Sequence, residues 1–222
     1  NSALMSFSSR SFYKGRMRAA KEVADLTLPV RHEALASRSA LMRDILSPKN
    51  PVVLINIRGR EVMRQNEQEA RMVLTVLREL LSDDLLTYRG APRHFDPETV
   101  ASQIGIIAPF RGQVQLLRRF INEAFPVHCE SIEVATVERF QGREKEIMLV
   151  SFVASGRTSG FIANPRRLNV TLTRARTKLI IFGDLRSLSL TSGLFRDLIT
   201  QDESLVLEGP EDGIISGLSD PF

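Results

Sequence analysis

Tryptophan is absent from this 222-residue chain, and tyrosine occurs only at Tyr13 and Tyr88. That speaks against an aromatic platform on which successive bases stack. The single cysteine, Cys129, excludes an internal disulfide and fits a reducing compartment, the cytoplasm or, in a eukaryote, the nucleus. His32, His94 and His128 lie far apart and share no ligand spacing with Cys129, so no metal site is expected. No apolar run approaches the roughly 20 residues that a membrane span needs. No basic stretch followed by an apolar one opens the chain, as a secretory leader would. Position 1 is Asn rather than Met, so the chain reads as an excised piece.

Further absences bear on chemistry. There is no Gly-x-x-x-x-Gly-Lys-Ser/Thr loop to cradle phosphates, and no Asp-Glu pair closes an apolar strand. There is no Gly-x-Ser-x-Gly elbow and no dinucleotide fingerprint. A standalone small-ligand enzyme on a doubly wound sheet is disfavoured on those grounds.

What is present suits one soluble globular domain. Hydrophobic residues make up 43% and charged residues 25%, and the length is enough to bury a core. The net charge of +4 is mild, but its placement is not even. No acid falls between Ile147 and Gly183, while Arg157, Arg166, Arg167, Arg174, Arg176 and Lys178 do. Such a stretch suits phosphate partners, or else forms a solvated basic face.

Short Val/Ile-rich runs read as buried parallel strands: Val52 to Ile57, Ile104 to Ala108, Ile132 to Val137, Ile147 to Val153 and Leu179 to Phe182. Helical patterns alternate with them. Asn66 with Glu69 reads as a capping-box variant, followed by a stripe of Ala70, Val73, Leu74, Leu77 and Leu81. Helices are also expected over 110–124, from Pro165 through the Arg174 region, and after Asp184. The alternation predicts an α/β fold with a mostly parallel sheet flanked by helices, and ligand groups at the carboxyl ends of its strands. One domain over 1–207 is expected. Residues 1–50 would be an irregular segment wrapping the sheet's edge, 83–102 a surface loop, and 208–222 a flexible acidic tail.

Three segments could carry chemistry. In Asn169-Val170-Thr171-Leu172-Thr173-Arg174-Ala175-Arg176, a guanidinium stands just before a buried strand, which would hold it firmly. Fixed beside a γ-phosphate, such a group is worth about 10³–10⁵ in rate. The plainer alternative is a helix whose arginines are solvated or paired with Asp184 or Glu144. In Thr136-Val137-Glu138-Arg139-Phe140-Gln141-Gly142-Arg143-Glu144, a strand ends in a hydroxyl that can bond a backbone phosphate. Gly142 then permits close approach, and Glu144 can accept from a ribose hydroxyl. Alternatively Thr136 is an N-cap, and Glu144 a partner of Arg143 or Lys145. In Ala108-Pro109-Phe110-Arg111-Gly112-Gln113, a strand feeds a helix whose N-terminus attracts anions.

In this order, these segments resemble motifs IV, V and VI of superfamily 1 helicases. The resemblance is to the branch containing the nonsense-mediated-decay helicase and the nuclease-helicase of Okazaki-fragment processing. Phe7 to Tyr13 looks like the segment that follows the family's Tyr-Arg motif, and the likeness covers roughly residues 1 to 185. It implies the second RecA-like domain of a P-loop NTPase, without its own phosphate loop. It also implies ATP and Mg²⁺ as cofactors, held mainly by a first RecA-like domain, and single-stranded DNA or RNA as substrate, travelled 5′ to 3′. By the same resemblance Arg174 is the arginine finger, with Gln141 and Arg176 on the phosphate side. Gly142 and Glu144 approach the nucleotide. Thr136, Pro109 and Gln113 face the strand. Arg166 and Arg167 orient the motif VI helix or meet nucleic acid. A non-enzymatic binding module is the rival, against which the paired presence of Arg174 and Glu144 argues.

Overall fold

The computed structural model describes residues 1–87, 99–155 and 162–210. The chain opens with α1 (Ser2–Tyr13), two short helices α2 (Lys21–Ala24) and α3 (His32–Ala36), and α4 (Ala40–Leu46). Then come β1 (Val52–Asn56), α5 (Glu67–Leu80), a single 3₁₀ turn at Val100–Gln103, β2 (Ile104–Ile107), α6 (Arg111–Ala124), β3 (Glu133–Ala135) and β4 (Lys145–Ser151). The last part holds α7 (Pro165–Leu172), β5 (Ala175–Gly183), α8 (Leu185–Thr191), α9 (Gly193–Thr200) and β6 (Ser204–Glu208).

The strands form one sheet in the order β3-β2-β4-β5-β1-β6, with every pairing parallel. Because successive strand residues face opposite sides, the Val/Ile runs supply two cores at once. Val53, Ile55, Ile104, Ile106, Ile147, Leu149 and Ile180 face α4, α5 and α6. Val52, Leu54, Ile107, Met148, Val150, Leu179 and Ile181 face α1, α7, α8 and α9. A parallel sheet covered on both faces is why these strands read as continuous apolar runs. This α/β layering is the RecA-like arrangement that the resemblance implies.

The five expected strands are all present; a sixth, β6, extends the sheet beyond β1. The acidic tail placed at 208 therefore starts too early, since Glu208 pairs with Asn56 in the sheet and its carboxylate accepts from Asn56 Nδ2 at 2.9 Å. Residues 211–222 of that tail lie outside the described residues. Residues 1–50 do not merely wrap an edge. Leu4 and Phe7 of α1 bury against the sheet face, and Met42, Ile45 and Leu46 of α4 join the opposite core. The surface loop over 83–102 is buried at both ends: Leu85 and Leu86 are fully covered, as are Val100 and Ala101. Leu86 bridges Val30, and Met72, Val76 and Leu80, off the expected stripe, are buried in the same core as Leu85 and Leu86. The middle of that loop, 88–98, lies outside the described residues. The helix expected to run through Arg174 stops at Leu172. The one expected after Asp184 is two, because extended Ser192 breaks it and caps α9 through Leu194 N.

Candidate nucleotide and nucleic-acid sites

The candidate residues divide between two opposite edges of the sheet, not the carboxyl edge alone. Arg174 immediately precedes β5, and Glu144 immediately precedes β4, so both stand at the amino edge. Pro109 follows β2 and Thr136 follows β3, so both stand at the carboxyl edge. The turn between Thr136 and Glu144 crosses from one edge to the other. Its anchor is Phe140, fully buried in the core with its backbone N–H bonded to Thr136 O at 3.1 Å. Gly142 completes the turn at φ +81, a conformation that L side chains rarely adopt.

At the amino edge Arg174 is held by its own domain. Its Nε donates to Val170 O at 3.0 Å, one terminal nitrogen to Arg143 O at 3.2 Å and the other to Thr173 Oγ1 at 2.9 Å. Its carbonyl accepts from Lys145 N at 3.0 Å, which pins the residue to the start of β4. A guanidinium has five N–H donors, so each terminal nitrogen keeps one to offer. Of the plainer alternatives, pairing with Glu144 falls to Arg176 and not to Arg174. The pair is 3.2 Å apart, with both residues about half exposed. Arg176 also reaches Glu146 at 3.6 Å. Such a surface pair is worth about 0–1 kcal/mol, so a ligand can displace it cheaply.

Arg174, Arg176 and Glu144 line one cleft of about 350 Å³. Its other wall carries Tyr13 from α1 with Met17 and Leu26 beyond it. Sequence reasoning noted Phe7 to Tyr13 only as a family segment and missed Met17 and Leu26; no periodicity signals residues that meet a site from a loop. Gln141 is exposed, and neither it nor Gly142 lines this cleft.

At the carboxyl edge a cleft of roughly 720 Å³ brings Pro109 and Thr136 together. Arg64, Arg111, Arg118, Arg139 and Arg167 line it against the single acid Glu138. Arg167 is tied to Glu138 at 2.7 Å, which leaves it in the cleft wall, while Arg166 is exposed. Desolvation works to raise the Glu138 carboxyl, but hydrogen bonds from its own backbone N–H and from Arg167 outweigh it and hold the group below its ordinary range. Arg118 also donates to Val134 O at 2.7 Å, covering the open edge of β3.

Gln113 does not reach this cleft. It is fully buried; its Oε1 accepts from Asn66 N at 2.8 Å, and its Nε2 donates to Asn66 O and Ser151 Oγ, each at 3.0 Å. Both ends of the amide are thus spent inside the fold. The same network holds Glu69, also fully buried, whose carboxylate accepts from Asn66 Nδ2, Ser151 Oγ, Val153 N and Ala154 N. Burial pushes this carboxyl up to about 8, while those donors pull the other way.

The family described as AAA domain matches residues 1–186. The chain is 30% identical to the DNA replication ATP-dependent helicase/nuclease DNA2 of Xenopus tropicalis, over 85% of this chain and 18% of that protein. It is 32% identical to regulator of nonsense transcripts 1 of Dictyostelium discoideum, over 73% of this chain and 12% of that protein. It is 33% identical to helicase SEN1 of Saccharomyces cerevisiae, over 89% of this chain and 8% of that protein. The chain thus spans less than a fifth of each of these relatives. No helix among the described residues is long and apolar enough to cross a membrane. The chain belongs to the AAA domain family, in the superfamily 1 helicase branch that includes these relatives, and its sheet has the RecA-like arrangement.

Proposed function

We propose that this is the C-terminal motor domain of an ATP-dependent helicase that moves 5′ to 3′ on single-stranded DNA or RNA. ATP lies between it and a first RecA-like domain of the same protein. That partner domain holds the phosphates and Mg²⁺, since this chain has no Gly-x-x-x-x-Gly-Lys-Ser/Thr loop to cradle them. Arg174 completes the site from this side. The observation that carries the reading is its geometry. Three internal hydrogen bonds fix the guanidinium, yet two N–H groups remain for an anionic oxygen. A preorganised donor of this kind loses little on meeting charge that develops in a transition state. Arg176 and Glu144 flank it, the latter as a ribose acceptor, with Gln141 and Gly142 on the adjoining turn.

The basic cleft at the opposite edge takes the strand, with Pro109 and Thr136 at its floor and arginines for the phosphates. Gln113 supports the cleft from within and does not touch the strand. Closing and opening of the two domains around ATP would advance the domain along the strand. The segment from Thr136 to Glu144 is the covalent path between the two edges.

The domain alone, lacking a phosphate loop, should not hydrolyse ATP; the full-length protein should, and a single strand should accelerate it. Measuring phosphate release from both, with and without an oligonucleotide, tests this. A full-length protein indifferent to strand and ATP alike would leave only the binding-module reading, and turnover by the isolated domain would favour a standalone enzyme instead.

A further inference from the structure

Between β1 and α5 the chain reverses in a tight turn. Val62 N donates to Gln65 O at 2.9 Å, and Gln65 N donates to Val62 O at 3.0 Å. The central residues, Met63 and Arg64, stand at φ 52 and φ 65. Two successive left-handed residues define a primed turn, which favours Asn-Gly or Gly-Gly. A methionine and an arginine there are held against their preference.

The strain brings no burial in return. Met63 is 88% exposed and Val62 55% exposed. The turn is nevertheless clamped from several sides. Gln65 Nε2 donates to Gly112 O at 3.2 Å. The carbonyl oxygens of Met63 and Arg64 lie so close to α6 that a Cβ on Gly112 would meet them at 3.2 and 3.3 Å. The Arg64 guanidinium lies 4.6 Å from the centre of the Phe110 ring, and Asn66 N, just beyond the turn, is fixed by Gln113. Arg64, Phe110 and Arg111 all line the carboxyl-edge cleft. An apolar tip on a rigid, strained support therefore stands at the rim of a basic groove. Strain that brings no burial and is over-determined by its surroundings is of the kind that clusters at functional sites.

We propose that the Met63 turn is a base-contacting element of this domain. The Met63 side chain lies on the face of one nucleobase of the single strand whose phosphates follow Arg111 and Arg139. A thioether is polarisable and packs well on a π-face. Every base has such a face, so the contact tolerates sequence. Arg64, stacked on Phe110, braces the turn from the cleft side. This rests on the strand-cleft reading above and adds to it a contact to the bases.

The test uses the full-length protein and two labelled oligonucleotides of equal length, one of deoxythymidine and one abasic, which keeps the phosphates and lacks the bases. Binding is followed by fluorescence anisotropy across a salt series. Met63→Ala should weaken binding to the base-bearing strand about 5- to 20-fold. It should leave its salt slope and the affinity for the abasic strand unchanged. Met63→Leu should keep most of the affinity. Arg111→Ala should lower the salt slope by about 0.7 on either strand. An unchanged affinity in Met63→Ala beside a lowered slope in Arg111→Ala overturns the base contact and leaves the cleft standing. Equal losses on both strands overturn it too, and so does a fall in melting temperature without loss of binding, which would place the tip against another part of the protein. If Arg111→Ala leaves both slopes unchanged, the strand does not run in this cleft, and the proposal fails with it.

Discussion

The Glu69 carboxylate accepts the backbone N–H of Val153 at 2.8 Å, and Val153 stands at φ 57. A β-branched residue in the left-handed region is strained, and here a buried acid from α5 holds it at the end of β4. Ala154 N is bound to the same carboxylate at 3.1 Å. Glu69→Ala removes the acceptor for both amides and for Asn66 and Ser151. It should cost on the order of 3 kcal/mol, read as a lower denaturant midpoint at an unchanged m-value.

The same acid gives the fold a pH dependence. Its folded pKa, about 8, lies above its unfolded value of 4.5. Protons therefore bind the folded state more tightly. The contribution is complete below pH 4.5 and falls away as pH rises through about 8. Against Glu69→Gln, which cannot ionise, the stability gap should narrow between pH 5 and pH 8. A gap that stays constant over this range would mean the carboxyl is ionised in the fold throughout.

Arg38 should matter for stability although it is far from either cleft. It pairs with Glu79 of α5 and with Asp84, at 2.6 Å to the latter. The Glu79 side chain is only 8% exposed. Arg38→Ala leaves that acid covered and unpaired, and should cost about 2–4 kcal/mol in chemical denaturation. Strand affinity of the folded protein should not change.

Gln113 separates a structural role from a strand contact. Gln113→Ala leaves Asn66 N without its acceptor and Ser151 Oγ with only its bond to Glu69, and should cost about 2 kcal/mol. The salt slope of oligonucleotide binding, measured well below the melting temperature, should stay at its wild-type value. A lowered slope would return Gln113 to the strand.

The sheet was legible in the sequence because buried parallel strands are continuous apolar runs, and Val52 to Ile57 or Ile147 to Val153 can be read as little else. β6 escaped notice because Ser204–Glu208 is an edge strand, largely uncovered on the face that would reveal it. The Asn66 cap was equally plain, and Asn66 Oδ1 does accept from Glu69 N at 3.1 Å. Where the Glu69 carboxylate went was not legible. A capping box would turn it back on the Asn66 N–H, but Gln113 takes that donor, and the carboxylate reaches across to residues 151–154. Those partners lie more than 80 residues along the chain, beyond any local pattern. The motifs gave the candidate residues but not their division between two edges, since strand direction and order decide which end of a strand a residue occupies. Met63 carried no signal, because a primed turn without glycine or asparagine does not announce itself.

Arg174 is the residue on which the proposed catalysis turns. The decisive measurement is strand-stimulated ATP turnover by the full-length protein carrying Arg174→Ala, with circular dichroism and melting temperature as checks on folding. A fall of about 10³–10⁵ in kcat, with strand binding retained, is the predicted result. Wild-type turnover from a folded Arg174→Ala protein would contradict it.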